Sequence, residues 1–305
     1  MHANEGHMKR EITFTRNDLV LAGHLFLPED FDEGRSYPAI IVQGSFTSVK
    51  EQMAGSYAAK LADEGFIALA FDYSHYGRSE GLPRQLESTQ EKLADLRAAV
   101  SYLESQPFVT GVGMVGVCTS ASNGAYLAAA DRRLKAFATV AGMIAKPGMY
   151  PALMGEDVIA RRLSDAQAAR AKFAATGEGT RITTYSETDD TAANYNPTPG
   201  AYDYYTNPAR GGIPDYTNEF DVSSWDSWLT LDPLSQAPQI TIPTMVIHSD
   251  GCAFPDNAKE LYAAVQGPKE LVWADGTHFD YYDSPAQVDQ AVTHLARFFR
   301  THQTP

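Results

Sequence analysis

Short apolar runs recur along the chain, and between them apolar residues repeat at helical spacing. The runs are "PAIIVQ" (38–43), "GFIALAFD" (65–72), "GVGMVGV" (111–117), "LKAFATVAG" (134–142), "ITIPTMVIHSD" (240–250) and "KELVWADG" (269–276). Continuous rather than alternating hydrophobicity predicts strands buried on both faces. The stretches between predict helices over Val49–Glu64, 88–105, 119–130, Pro255–Val265 and Pro285–Arg300. Before them, "REITFTRNDLVLAGHLFLPED" reads as two β segments around the turn residues Asn17 and Asp18. Each crossover helix must pack back on the sheet, so this alternation predicts an α/β protein with a mainly parallel sheet covered on both sides.

The rhythm breaks after Met143 and resumes near residue 239. Residues 145–238 hold one expected helix, Met154–Thr176, and then a tract rich in Gly, Pro, Asn and Tyr. Residues 9–144 and 239–301 therefore form the expected core, and 145–238 an insertion of the lid or cap kind, since long ordered insertions above a sheet commonly wall a pocket. The first eight residues carry no weight in this reading.

Composition narrows the partners. A formal charge of −14 over 305 residues, with no basic patch, argues against nucleic acid and anionic membrane surfaces. No stretch reaches the ~18 apolar residues of a membrane span and the start lacks a signal-peptide pattern, so a cytoplasmic protein is expected. Oligomeric state does not follow from the sequence, and a homo-oligomer stays open. Cys118 and Cys252 are the only cysteines, too few for a disulfide framework or a cysteine-rich zinc site. There is no G-x-G-x-x-G after the first strand, no P-loop and no H-E-x-x-H, so neither cofactor nor metal is expected.

The chemistry concentrates where "VGMVGV" meets "CTSASNGAY". A nucleophile on a sharp strand-to-helix turn needs small residues two before and two after it, and Gly116 and Ser120 flank Cys118 in that way. The following helix start would stabilise a thiolate, and the Thr119 N–H would face the site as half of an oxyanion hole. Cys118 as a small buried hydrophobe, and Ser120 as nucleophile, are the rival readings. Acid and base slots are filled in order: Asp250 ends one late strand, and His278 follows the last one in "THFDYYD". Asp256 is the alternative acid. His248 reads as a strand-end residue beside the site, and His75 as one that orders its loop. The second oxyanion donor falls to Ser45 or Phe46 after "AIIVQG", with Lys50, Glu51 and Gln52 fixing that loop.

Together the blocks "GSFTSVKEQMAGSYAAKLADEGFIALAFDYSHYGRSEG", "VGMVGVCTSASNGAYLAAA", "PTMVIHSDGCAFPDNAKELY" and "GTHFDYYD" resemble the α/β-hydrolase superfamily, specifically its dienelactone-hydrolase-like branch, which includes polyketide-transferase-like proteins. The resemblance implies Cys118 as nucleophile, His278 as base and Asp250 as acid. Two departures stand out: Ser120 replaces the usual glycine, and the acid loop "HSDGCAFP" has one residue more than the commoner arrangement. The implied reaction is acyl transfer from an ester, thioester or lactone through an acyl-enzyme, completed by water in a hydrolase. Alternatives with the same triad are an acyltransferase, a cyclase or a carbon–carbon bond hydrolase, and a further one is a non-catalytic ligand-binding protein. Peptidase activity ranks low, because a thiolate leaves more readily than an amide nitrogen. Tyr204, Trp225 and Trp228 are the expected substrate-binding residues, suiting a small-molecule acyl substrate that could be aromatic; the competing reading makes them the insertion's own core.

Overall fold

A computed structural model describes residues 7–195 and 200–303. Residues 196–199, part of the Gly- and Pro-rich tract, lie outside the described residues, as do the first six and last two positions. The chain opens with β1 (His7–Arg16) and β2 (Leu19–Pro28), paired antiparallel around Asn17, whose φ of 52° makes the turn. Then follow β3 (Tyr37–Gln43), α1 (Met53–Asp63), β4 (Ile67–Phe71), α2 (Thr89–Glu104), β5 (Val109–Val117), α3 (Ser120–Ala130) and β6 (Leu134–Val140).

The insertion contributes α4 (Met149–Met154), α5 (Glu156–Thr176), β7 (Arg181–Thr183), β8 (Tyr185–Ser186), β9 (Asn194–Tyr195), α6 (Ala201–Thr206), β10 (Glu219–Asp221) and α7 (Trp225–Leu229). The main series ends with β11 (Thr244–His248), α8 (Pro255–Ala264), β12 (Lys269–Trp273), α9 (Asp280–Asp283) and α10 (Pro285–Gln303).

Eight strands form one sheet in the order β1-β2-β4-β3-β5-β6-β11-β12. The β1–β2 and β2–β4 pairs are antiparallel and the rest parallel. The continuous apolar runs have the expected cause. In β4, Ile67, Leu69 and Phe71 enter one core and Ala68 and Ala70 the other; in β3, Ile40 and Val42 oppose Ala39 and Ile41. A period of two with both faces covered reads in one dimension as unbroken hydrophobicity.

Two elements depart from expectation. The first helix begins at Met53 rather than Val49, because side chains hold the preceding turn: Val49 N–H donates to Gln52 Oε1 at 3.0 Å and Lys50 N–H to Asp72 Oδ1 at 2.8 Å. The expected helix Met154–Thr176 is α5, starting at Glu156, but a short helix that was not expected, α4, precedes it and is set off at Gly155, whose φ is 86°. No helix among the described residues is long and apolar enough to cross a membrane.

Candidate active site

Cys118 stands where β5 ends, at φ 54°, a left-handed conformation that costs a side-chain-bearing residue free energy unless its surroundings enforce it. They do. Its N–H donates to Val140 O at 3.1 Å, and its carbonyl accepts from Ala121 and Met143 N–H at 3.0 and 2.9 Å. A Cβ on Gly116 would lie 2.2 Å from Ser120 O, so only glycine lets the elbow close. Ser120 is wholly buried, its hydroxyl 3.1 Å from the Tyr73 hydroxyl, which places it behind the corner rather than on it.

Burial pushes the Cys118 thiol up from its ordinary value, and four hydrogen bonds work against that: from the Tyr282 hydroxyl, from the Thr119 hydroxyl, and from the backbone N–H groups of Thr119 and Phe46. These hydrogen bonds to sulfur mark the converging positions at which an oxyanion could be held. Of the two residues expected after β3, Phe46 therefore directs its N–H at the cysteine. Ser45 instead turns its hydroxyl to Tyr205. The loop is anchored as its sequence suggested: Lys50 Nζ pairs with Asp72 at 2.8 Å, and Gln52 Nε2 donates to Gly211 O at 2.6 Å.

His278 follows β12 and is bound by backbone to the turn after β11, its N–H donating to Gly251 O at 3.1 Å. Its Nε2 faces the Tyr282 hydroxyl at 3.2 Å, and its Nδ1 accepts the Ala253 N–H at 3.2 Å. The structure thus brings Cys118 and His278 together through Tyr282, but does not bring Asp250 to the ring. The Asp250 side chain is exposed and lies 3.8 Å from Lys259 Nζ, and Asp256 is exposed at the same distance from the same ammonium.

His248 lies wholly buried at the end of β11, 5.4 Å from the Trp273 ring. Burial first, and then His278, push its pKa down to about 4. His75 orders its loop through Pro83 O at 3.0 Å. Both cysteines are free; Cys252 Sγ lies 3.2 Å from the Ser249 hydroxyl, which donates to Gly276 O at 2.6 Å. Among the described residues no group of three His, Cys, Asp or Glu side chains is placed to hold a metal ion.

The three aromatic residues expected to bind substrate separate. Trp228 packs 4.3 Å from Phe46, beside the cysteine. Trp225 is buried, 4.6 Å from Phe220 and under the Arg162 guanidinium, in the core cluster that also holds Phe46 and Cys118. Tyr204 stands edge-on to Tyr282 at 4.9 Å, one layer behind it. Sequence reasoning missed Tyr282, Tyr150 and Tyr185. For Tyr282 a signal existed: it falls four residues after His278, in the short helix α9 that the same loop leads into.

A mainly parallel sheet, a strained cysteine elbow after its central strand and a histidine after its last strand define an α/β-hydrolase. The chain belongs to the X-Pro dipeptidyl-peptidase (S15) family, whose model matches residues 18–280. It is 31% identical to an Escherichia coli (strain K12) protein, YcjY, across 96% of this chain and 98% of that one. It is also 25% identical to the thiohydrolase aneE of Aspergillus aculeatus over 88% of this chain and 85% of that protein, and 24% identical to the polyketide transferase claH of Penicillium crustosum over 87% and 88%. Among solved structures, the Pseudomonas aeruginosa protein PA2218 superposes with a TM-score of 0.84 at 27% identity, covering 99% of this chain and 96% of that one. The chain is therefore hydrolase-like in family and fold.

Proposed function

We propose that the protein is a cysteine-dependent hydrolase of esters, thioesters or lactones, placed in the dienelactone-hydrolase-like branch of the superfamily and working through an acyl-enzyme. The observation that carries this reading is Cys118 itself: a thiol in a strained elbow, at the start of α3, with the Thr119 and Phe46 N–H groups directed at its sulfur. Backbone strain of this kind concentrates at functional sites.

Cys118 Sγ attacks the acyl carbonyl as its proton moves toward His278, either through the intervening Tyr282 hydroxyl or directly once that ring is displaced. The oxyanion forms between the N–H groups of Thr119 and Phe46, and one such donor lowers the barrier by about 2.7–4 kcal/mol. Collapse expels the leaving group, which takes the proton back from His278, and water then cleaves the thioester. For His278 to hold a second proton, its Nδ1 must face an acceptor. Asp250, two residues past the end of β11, takes that position in this reading when the 250–253 turn exchanges the Ala253 N–H for the carboxylate.

Transfer to an alcohol, amine or carbon acceptor is the second reading. It is favoured by the burial of Cys118, 7% exposed among aromatic walls that keep water out, and by the likeness to a polyketide transferase. Cleavage of X-Pro peptides, which the family's name describes, ranks third, since the amide is a poorer leaving group than the thiolate.

Intact-protein mass after brief mixing with activated esters and thioesters tests the reading. An acyl adduct on the unmodified protein that is absent from Cys118→Ala supports it. Equal turnover by both proteins overturns it. Product analysis with and without added alcohols and amines then separates hydrolysis from transfer.

A further inference from the structure

The tyrosines around Cys118 almost all spend their hydroxyls on the protein. Tyr205 bonds Ser45, Tyr185 donates to Phe46 O at 3.4 Å, Tyr216 lies 3.3 Å from Thr47 Oγ1, and Tyr282 lies 3.2 Å from His278 Nε2. Tyr150 differs. Its ring, on α4, is 5% exposed, and its hydroxyl is buried with no hydrogen-bond partner among the described residues. A buried hydroxyl left unpaired is destabilising, and packing alone does not explain it when phenylalanine would fill the same space.

The position of Tyr150 gives the hydroxyl a use. The ring stands 6.1 Å from Trp228, which packs 4.3 Å from Phe46, the residue whose N–H is directed at the cysteine. Tyr150 and Cys118 belong to one core cluster, and after burial Cys118 is the group that most raises the phenol's pKa. Burial raises the phenol's pKa, so the group is a donor throughout the working range. The wall beside the reacting carbon is thus apolar and aromatic, with one unspent donor.

We infer that Tyr150 is a specificity-determining residue that donates a hydrogen bond to an oxygen on the acyl chain, so that the preferred substrates are acyl groups bearing an oxo or hydroxyl oxygen close to the reacting carbonyl. This rests on the reading of Cys118 as nucleophile and names the substrate class of that same site. An unsubstituted acyl chain leaves the phenol unpaired, whereas an oxygen-bearing one satisfies it, and sites built to hydrogen-bond a substrate discriminate against analogues that lack the partner.

The test compares kcat/KM for the acetoacetyl and butanoyl thioesters of N-acetylcysteamine, which differ by one oxo group. The unmodified protein is expected to favour acetoacetyl roughly 3- to 10-fold, the effect of one neutral hydrogen bond. Tyr150→Phe brings the ratio to about one, by lowering the acetoacetyl value while butanoyl changes less than about twofold. No preference in the unmodified protein, an unchanged ratio in the variant, or an equal fall for both probes overturns the inference.

If neither thioester turns over, the same comparison is read as Kd for the corresponding amides on Cys118→Ala, with and without Tyr150→Phe; equal affinities, or no binding of either, overturn it as well. Turnover of both thioesters by Cys118→Ala at the unmodified rate sinks the nucleophile assignment instead, whatever the ratio.

Discussion

Ala253 donates its backbone N–H to Nδ1 of His278 across 3.2 Å, on the edge of the ring where an orienting carboxylate would stand. A neutral imidazole that accepts at Nδ1 carries its proton on Nε2. In this arrangement Nε2–H donates to the Tyr282 oxygen, and the Tyr282 hydroxyl in turn donates to Cys118. The Tyr282 hydroxyl thereby bridges the thiol and the imidazole.

Turnover in the proposed mechanism requires the Nδ1 partner to change from donor to acceptor. Asp250→Asn is expected to lower the acylation rate about 10^3-fold or more, as loss of a triad acid does. Stability should hold within about 0.5 kcal/mol, because the side chain is exposed and its ion pair with Lys259 is a surface one. Asp256→Asn should leave the rate within about twofold. Burst kinetics with an activated ester measure all three proteins, and unchanged rates in both variants would remove the acid from the mechanism.

The pH dependence of thiol alkylation reports the donors on the sulfur. Burial raises the Cys118 pKa above its ordinary value near 9, so the iodoacetamide rate should still be climbing at pH 9. The Tyr282 hydroxyl opposes that rise, so Tyr282→Phe should move the profile to higher pH, whereas a change in access alone would scale the rate equally at every pH. An unmoved profile contradicts the hydrogen bond.

Stability should fall in acid because of His248. Its folded pKa of about 4 lies below the unfolded value of 6.5, so between these values the unfolded chain binds the extra proton. The contribution is fully present above pH 6.5 and is lost as pH falls toward 4, at up to about 1.4 kcal/mol per pH unit. Urea titrations of the unmodified protein and His248→Phe from pH 7 to 4.5 should diverge in slope, with the variant the flatter. Parallel curves would show that this histidine titrates normally.

Gly116→Ala probes the elbow without touching a reactive group. The added Cβ would meet the Ser120 backbone oxygen at 2.2 Å, and neither strand β5 nor helix α3 can shift independently of the sheet. Destabilisation of several kcal/mol is expected, together with loss of the acyl adduct in whatever fraction still folds. Thermal unfolding and adduct mass measure the two effects; a variant as stable as the unmodified protein would show that the elbow is not under this constraint.

The α/β character, the strand sequence and the Cys118 elbow were legible because each is local. Unbroken apolar runs follow from burial on both faces, and Gly116-x-Cys118-x-Ser120 follows from the space a sharp turn leaves. Helix α5 was legible to within two residues at its start, whereas the six-residue α4 before Gly155 was missed, being too short to show a period. In the tract from 177 to 238 the short strands and helices are too brief to show a period, and their tyrosines carry no mark of direction.

The sequence alone determined the sheet, the elbow and the order of cysteine, aspartate and histidine along the chain, since these depend on hydrophobic period and on residue size at fixed spacings. Only the tertiary structure decided which groups meet. It set Tyr282 between thiol and imidazole, gave Nδ1 of His278 to Ala253 rather than to Asp250, and left the buried Tyr150 hydroxyl without a partner among the described residues. Those outcomes depend on how the insertion and the turns after β11 and β12 pack over the strand ends, a contest among non-local contacts that neighbouring residues in sequence do not encode.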